Sequence, residues 1–310
     1  MKRRAALFAG FLVLAPLPVD AWGFEAHKFI MGRAISLLPS QIRPFFEAAR
    51  VSIVEHAIDP DLWRTAGWTD ESSRHYFDLD AYGAHPFKEV PRDFDEAIKK
   101  HGLEFVTRNG TLPWRTVDVQ RELAEAFRQK KPFARESIKF FASVLGHYVS
   151  DAHVPFHATL NHDGQLSKQE GIHERFEVEM FERYRTWIRI SPRPVFKIPD
   201  ARAFMFDTLS DSFVLVGPLL EADRTAAAGR EHYDDGFYAQ FFGKGRPLLE
   251  RRLSDSITAV ASMITAAWVE AGRPSLPPQA PPTPPAKIRR DNHPPRPTSS
   301  GDGRSSFPPD

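Results

Sequence analysis

Of the 12 histidines in this 310-residue chain, five fall between residues 147 and 173, in the stretch GHYVSDAHVPFHATLNHDGQLSKQEGIHERFE (146–177). Two pairs there have the form His-x-x-x-acid: His147 with Asp151, and His173 with Glu177. Residues four apart share one helix face, so each pair can aim an imidazole and a carboxylate at the same cation. Zinc accepts that mixture at about 2.0–2.2 Å. One such pair alone reads better as an ordinary contact on a solvated helix face. Two pairs within 31 residues, with His157 between them after Pro155, point to a metal site instead. Further donors lie upstream. Asp61 and Arg64 occur in AIDPDLWR, His75 in SSRHYFDLD, and His27 follows Trp22 in VDAWGFEAHKF. Asp59 competes with Asp61, and spacing alone does not choose between them.

The elements that must carry these residues read as helices. From Arg135 to Ala152, apolar residues at 138, 141, 142, 145, 148, 149 and 152 form one stripe at helical spacing. His147 and Asp151 fall roughly opposite the part of that stripe centred on Leu145, so the ligand face is expected to meet water or a cleft. Ile172, Phe176, Met180, Tyr184 and Trp187 mark a second helix. Phe206 to Leu220 mark a third that Gly217-Pro218 kinks or ends. Leu249 to Trp268 mark a last long one, closed by Gly272 and Pro274. Residues 28–38, 44–57 and 117–128 read as further helices, and residues 58–116 as mainly irregular loops, with 75–79 the best strand candidate. The expected class is all-α, a bundle-like single domain.

Composition narrows the chemistry. There are no cysteines, which excludes disulfides, thiolate metal sites and a cysteine nucleophile. The net charge of +1 gives no global field for nucleic acid or membrane, so substrate preference has to be local. Lys2, Arg3 and Arg4 precede an apolar run over residues 5–19 that is short for a membrane span, and Val19-Asp20-Ala21 suits a signal peptidase. Residues 1–21 are therefore expected to be a signal peptide, and the product secreted or periplasmic, with no integral membrane segment after processing. Residues 274–310 hold 12 of the 27 prolines without apolar periodicity and are expected to be a disordered tail, leaving residues 22–273 as the domain. No protein partner is evident.

In order and spacing, Trp22, His27, Asp61, His75, His147, Asp151, His157, His173 and Glu177 resemble the ligand series of the superfamily that contains zinc-dependent phospholipases C and single-strand-specific nucleases. Members begin, when mature, with tryptophan. The resemblance covers residues 22–177; beyond them the chain is similar only in being helical. It implies a single multi-helix domain holding three zinc ions. Asp61, His75, His147 and Asp151 would hold one; His157, His173 and Glu177 a second; and the amine and carbonyl of Trp22, with His27 and a second oxygen of Asp151, the third. The family's Asp-x-x-Arg pattern favours Asp61 over Asp59. Six positive charges less three carboxylates leave about three, which suits an anionic phosphodiester, and a zinc-bound water ionises near pH ~7. Asp61 would orient that water, and Arg64 would contact a phosphate oxygen or simply pair with Asp61.

The resemblance implies a phosphodiester substrate, either phospholipid or single-stranded nucleic acid. Phe176 before the final acid Glu177, and the absence of cysteine, favour the phospholipase branch slightly. Residues 206–272 read mostly as helix, so an appended membrane-binding sandwich is not expected. A non-catalytic zinc-binding exported protein is the rival from another class. His153 is read as lying beside the ligands or on the surface, His162 and Asp163 as loop residues able to hydrogen-bond a ligand histidine, and Trp63, Trp68, Phe77 and Trp114 as packing residues by default.

Overall fold

The computed structural model describes residues 23–68, 70–130 and 133–276. The expected signal peptide, Trp22 and the proline-rich segment from 277 onward lie outside these residues. Thirteen α-helices are present among them: α1 (Phe24–Leu37), α2 (Arg43–Ala48), α3 (Arg50–Glu55), α4 (Asp59–Thr65), α5 (Phe94–His101), α6 (Leu103–Arg108), α7 (Leu112–Arg128), α8 (Ala134–Asp151), α9 (Ile172–Glu174), α10 (Met180–Tyr184), α11 (Ala201–Phe213), α12 (Val216–Ala227) and α13 (Asp235–Glu270). A π turn, Arg175–Glu179, joins α9 to α10. Short 3-10 turns occupy His56–Ile58, Ser72–Arg74, Leu79–Tyr82 and Pro155–Ala158. No strand occurs among the described residues, so the class is all-α; residues 75–78 are loop and Leu79 opens a 3-10 turn.

Several expectations are corrected. Residues 58–116 are not mainly irregular, since α4, α5, α6 and the first turn of α7 lie there. Asp93 caps α5 by accepting from the backbone N–H groups of Asp95 and Glu96 at 3.0 and 3.2 Å. The third helix ends at Phe213, before Gly217-Pro218, and Pro218 instead sits in the first turn of α12, where a missing N–H costs nothing. The last helix starts at Asp235 rather than near Leu249 and carries Pro247 within it. At 36 residues it runs about 54 Å.

α8 is the axis of the fold. It packs against α7, α13, α1 and α3. Leu145 and Val149 of α8, Val260 and Ile264 of α13 and Ile30 and Ala34 of α1 are all buried. Every residue from Ala142 to Asp151 is buried, so of the two settings expected for the side of α8 bearing His147 and Asp151, open water is excluded. The reason is that α1, α4 and the 71–75 segment close over it with donors of their own. The segment 201–227 is long and apolar enough to cross a membrane by length and composition. It is nevertheless broken at Val214–Leu215, and Met205, Phe206, Leu209 and Leu219 on it lie in the core.

Two devices fix the loops around the C-terminal end of α8. Arg252 is buried on α13; its Nε donates to the His153 carbonyl at 2.9 Å and its Nη2 to Ser212 Oγ at 2.6 Å, while Ser212 donates to the Ala152 carbonyl at 2.5 Å. Burial draws its pKa down to about 10, against Asp255 and Asp211, which raise it, so the guanidinium stays charged at neutral pH. Residues 109–112 form the second device by lying along residues 73–78: Thr111 N–H donates to Ser73 O, Asp78 N–H to Asn109 O and Leu112 N–H to Tyr76 O, at 2.6, 2.8 and 3.2 Å. That approach needs Gly110, whose φ is +91° and where a Cβ would stand 2.0 Å from the Tyr76 carbonyl oxygen.

A comparison of two glycines tests this packing. Gly229, at φ +73° after α12, has open space around it, so Gly229→Ala should cost about 1 kcal/mol for the left-handed backbone alone. Gly110→Ala should cost at least about 2 kcal/mol more, because backbone must move as well. Urea midpoints at unchanged m-value measure both; equal losses would show that the close approach at Tyr76 is not needed.

Candidate metal centre

The backbone brings donors from six parts of the chain to the buried end of α8. α1 supplies His27, α4 supplies Asp61 and Arg64, and His75 follows the turn Ser72–Arg74. α8 supplies His147 and Asp151, and the turn Pro155–Ala158 supplies His157. His173 comes from α9, and Glu177 from the π turn that follows. The i,i+4 pairing expected at His173 and Glu177 is present, with Nε2 3.0 Å from Oε1, although a π turn replaces the expected α-helical one. Wide turns of this kind recur at functional sites. Asp59 is outside the cluster, paired with exposed His56 at 2.9 Å, whereas Asp61 is fully buried within it.

Four atoms converge at the centre: Asp61 Oδ1, His75 Nδ1, His147 Nε2 and Asp151 Oδ2. Five of their six separations are 3.0, 3.1, 3.3, 3.6 and 3.8 Å. A tetrahedral ion with bonds of about 2.0–2.1 Å requires its ligand atoms to stand roughly 3.3–3.4 Å apart; the His75, His147 and Asp151 atoms at 3.0–3.3 Å meet that spacing, and Asp61 Oδ1 stands 3.6 and 3.8 Å from the two imidazole nitrogens. The orientation of His147 is fixed from behind, since its Nδ1–H donates to the Ala57 carbonyl at 2.8 Å and leaves Nε2 for the centre. The other oxygen of Asp151, Oδ1, faces His27 Nε2 at 3.3 Å. The His27 and His147 rings stack at 4.0 Å. His157, His173 and Glu177 form a separate group, with the two rings 4.9 Å apart. These buried His, Asp and Glu groups can bind metal ions. Trp22 lies outside the described residues.

The polar atoms test that fit independently. Both ring nitrogens of His27, both oxygens of Asp61, Asp151 Oδ1, His157 Nδ1 and His173 Nδ1 are buried without a hydrogen-bond partner. Burying one such group unpaired costs about 1–3 kcal/mol, and a cation would give this cluster a common partner.

The electrostatics agree. Burial pushes the Asp151 carboxyl up, but the charge of His147 and the close approach of the His147, His27 and His75 rings outweigh it and hold the group well below its usual range. Burial lowers the pKa of His75, yet Asp151, Glu71 and Asp61 together raise it to about 9. Burial, with His147 next, lowers that of His27. Burial also lowers His157, and it takes His173 down to about 4 against the raising effect of Asp163. Neutral imidazole is the ligating form.

Two residues near the centre have no place in the motif reading. Glu71 is fully buried, accepts from the Tyr148 hydroxyl and from Arg74 Nη1 at 2.7 Å, and has Oε1 3.6 Å from His75 Nε2. Burial would raise its pKa, but the His75 ring 3.6 Å away and the hydrogen bond from Tyr148 take it down to about 2. Its signal in the sequence was Glu-x-x-x-His, the ligand pattern written backwards. Asp78 is the second: it is buried, has Oδ1 unpartnered, and is pushed up to about 7 by burial and by Asp80.

A cleft of about 740 Å³ opens onto the centre. His75, His157 and His173 lie in its wall, together with Arg64, Arg108, Tyr76, Asp78, Leu160, His162, Asp163 and Leu166. Arg64 Nη2 is also 3.5 Å from Asp61 Oδ1, so both roles weighed for it are geometrically available. A larger cavity of about 1000 Å³ lies between α7, α13 and residues 195–202, but none of the candidate ligands lines it. Cavity size is therefore the wrong guide to the chemistry here.

Other candidates fall elsewhere. His153 is buried rather than on the surface, its Nδ1–H donating to Val149 O at 2.7 Å. His162 contacts Gln165 in the 159–168 turn at 3.3 Å. Phe77 and Trp114 pack together in the core, and Trp63 stacks on exposed Trp68. Compared with known proteins, the chain matches no family model and no curated sequence.

The sign of the pH dependence follows from His75. In the unfolded chain it ionises near 6.5, and in the metal-free fold near 9. Its protonated form therefore stabilises the metal-free fold fully below about pH 6.5, and that contribution disappears as pH rises through about 9. A cation must displace this proton, so zinc affinity of the metal-free chain should tighten about tenfold from pH 7 to pH 8. Chelator competition, corrected for the chelator's own protonation, measures it; an unchanged affinity would show that His75 is not protonated in the metal-free fold.

Proposed function

We propose that this chain is an exported, trinuclear zinc-dependent phosphodiester hydrolase of the phospholipase C and single-strand nuclease type. The observation that carries the reading is the placement of Asp151. One of its oxygens meets His75 Nδ1 and His147 Nε2 at 3.0 and 3.3 Å, and the other faces His27. A shared carboxylate of this kind serves two adjacent cations. In this reading Asp61, His75, His147 and Asp151 hold one zinc ion, and His157, His173 and Glu177 hold a second. Trp22, His27 and Asp151 hold the third, once cleavage after Ala21 frees the Trp22 amine. Bound zinc supplies an activated water at neutral pH and a Lewis acid toward phosphoryl oxygens.

The protein's own groups do the rest. Arg64 and Arg108, both in the cleft wall, bind the non-bridging oxygens of the phosphate. Asp61 orients the attacking water while it serves as a ligand. His147, held by Ala57 O, and Asp151 keep the donors fixed, so no reorganisation is needed as charge develops. A phospholipase C-type substrate is favoured slightly, since Leu160 and the well-exposed Leu166 give the cleft an apolar wall for an acyl glycerol. A second reading, a single-strand nuclease, is favoured by Tyr76 with Asp78. They offer an aromatic face and a carboxyl able to donate or accept near pH 7.

Elemental analysis of protein purified without chelator should find close to three zinc ions per chain, and one extra residue before Trp22 should leave two. The zinc-replete protein should hydrolyse a chromogenic phosphodiester, and His147→Ala should lower kcat/KM at least about a hundredfold with the far-UV helix signal retained. Rates on phosphatidylcholine and on single-stranded DNA then separate the two readings. Three zinc ions with no turnover on any of the three substrates would leave a non-catalytic zinc-binding protein, and absence of zinc would overturn the site.

A further inference from the structure

We propose that Glu71 is a positioning residue for His75, holding its ring so that Nδ1, and not Nε2, is presented to the metal centre. This rests on the reading of the centre as a zinc site. The two nitrogens of His75 face different partners. Nδ1 lies 3.0 Å from Asp151 Oδ2, 3.1 Å from His147 Nε2 and 3.6 Å from Asp61 Oδ1, in the middle of the four-donor set. Nε2 points the other way, is buried, and has no hydrogen-bond partner among the described residues; the charged group that faces it is Glu71 Oε1, at 3.6 Å. A neutral imidazole carries one proton. An anionic acceptor beside Nε2 keeps that proton there and leaves the Nδ1 lone pair for the cation, whereas the opposite tautomer would aim an N–H at it.

Glu71 is itself anchored, so the arrangement is built and not incidental. Its side chain is fully buried, Oε1 accepts from the Tyr148 hydroxyl and Oε2 accepts from Arg74. Tyr148 follows His147 on α8, and its ring meets the His75 ring edge-on at 5.8 Å. The helix that supplies two ligands therefore also fixes the group that orients a third. Glu71 adds a fourth carboxylate to Asp61, Asp151 and Glu177, which lowers the residual positive charge of a three-zinc centre from about three to about two.

The test uses the full processed chain and two variants. Glu71→Gln keeps a carbonyl acceptor for Nε2–H and for Tyr148, while Glu71→Ala removes both. In zinc-loaded wild-type protein, nitrogen-15 correlation spectra should show His75 protonated at Nε2. Glu71→Gln should retain that signature and bind zinc within about tenfold of wild type. Glu71→Ala should lose it and bind one of the zinc ions about 10–100-fold more weakly by chelator competition, with cooperative unfolding preserved. Wild-type tautomer and zinc affinity in Glu71→Ala would overturn the inference while leaving the zinc site standing. So would equal losses in both variants accompanied by loss of cooperative unfolding, because Glu71 would then be structural only. A wild-type chain that takes up no zinc overturns the zinc reading and this inference with it.

Discussion

Asp151 carries its charge at the inner end of α8 with no exposed surface, and the rest of the centre is arranged around that fact. A lone carboxylate there would cost several kcal/mol of lost hydration and would take up a proton instead. Three imidazoles from α1, α8 and the 75 segment reverse the balance, and the carboxyl is held well below its usual range. The cost has been transferred to them. His27 is left with both nitrogens unpartnered, and His75 is drawn toward protonation. The metal-free centre is thus a set of mutually frustrated donors, each short of a partner that a cation would supply.

That constraint explains why the surrounding elements are tied so firmly. A tetrahedral donor set tolerates errors of only a few tenths of an ångström, yet its members come from distant parts of the chain. Arg252 fixes the exit of α8 through the His153 carbonyl and Ser212. Phe77 N–H donates to the His157 carbonyl at 2.8 Å, which couples the His75 segment to the neighbouring ligand group. Asp223 of α12 pairs with Arg175 at 2.9 Å, and Gln169 donates to Asp223 at 2.7 Å. These bonds hold the 159–171 loop against α12. Much of the buried polarity outside the centre keeps ligand-bearing loops in register.

The parts of this structure that the sequence revealed are those written in local periodicity. The α8 stripe gave a helix within one residue of its observed ends, and the two four-residue pairs on 147–151 and 173–177 came out as contacts because i,i+4 spacing is a local property. What periodicity could not reveal depends on distant neighbours. Polar His, Ser and Asp left the ligand-bearing face of α8 open between water and a cleft; packing of α1 and α4 over it makes that face interior, behind the cleft. The helices of 58–116 are short and were hidden by Pro60, Pro86, Pro91 and Pro113. Two of these, Pro60 and Pro113, in fact occupy first turns, where proline is tolerated. The N-terminal third of α13 was missed because Pro247, with Gly243 and Gly245, reads as a stop. Gly245 instead lets Met180 approach closely.

Glu71 shows why a ligand motif is an incomplete description of a candidate metal centre. A donor list specifies which atoms meet the ion, but an imidazole offers two different atoms, and which one it presents is decided on the ring's other side. For His147 that decision is made by a backbone carbonyl, which any residue at position 57 would supply. For His75 it falls to a charged side chain that is itself held by Tyr148 and Arg74, a chain of three dependencies. The carbonyl is insensitive to mutation and adds no net charge. The carboxylate is sensitive to mutation, and in return it can adjust the charge of the whole centre. The two histidines that share Asp151 Oδ2 are therefore tuned by different means, and position 71 is where a change outside the ligand set would alter both the geometry and the charge of the site.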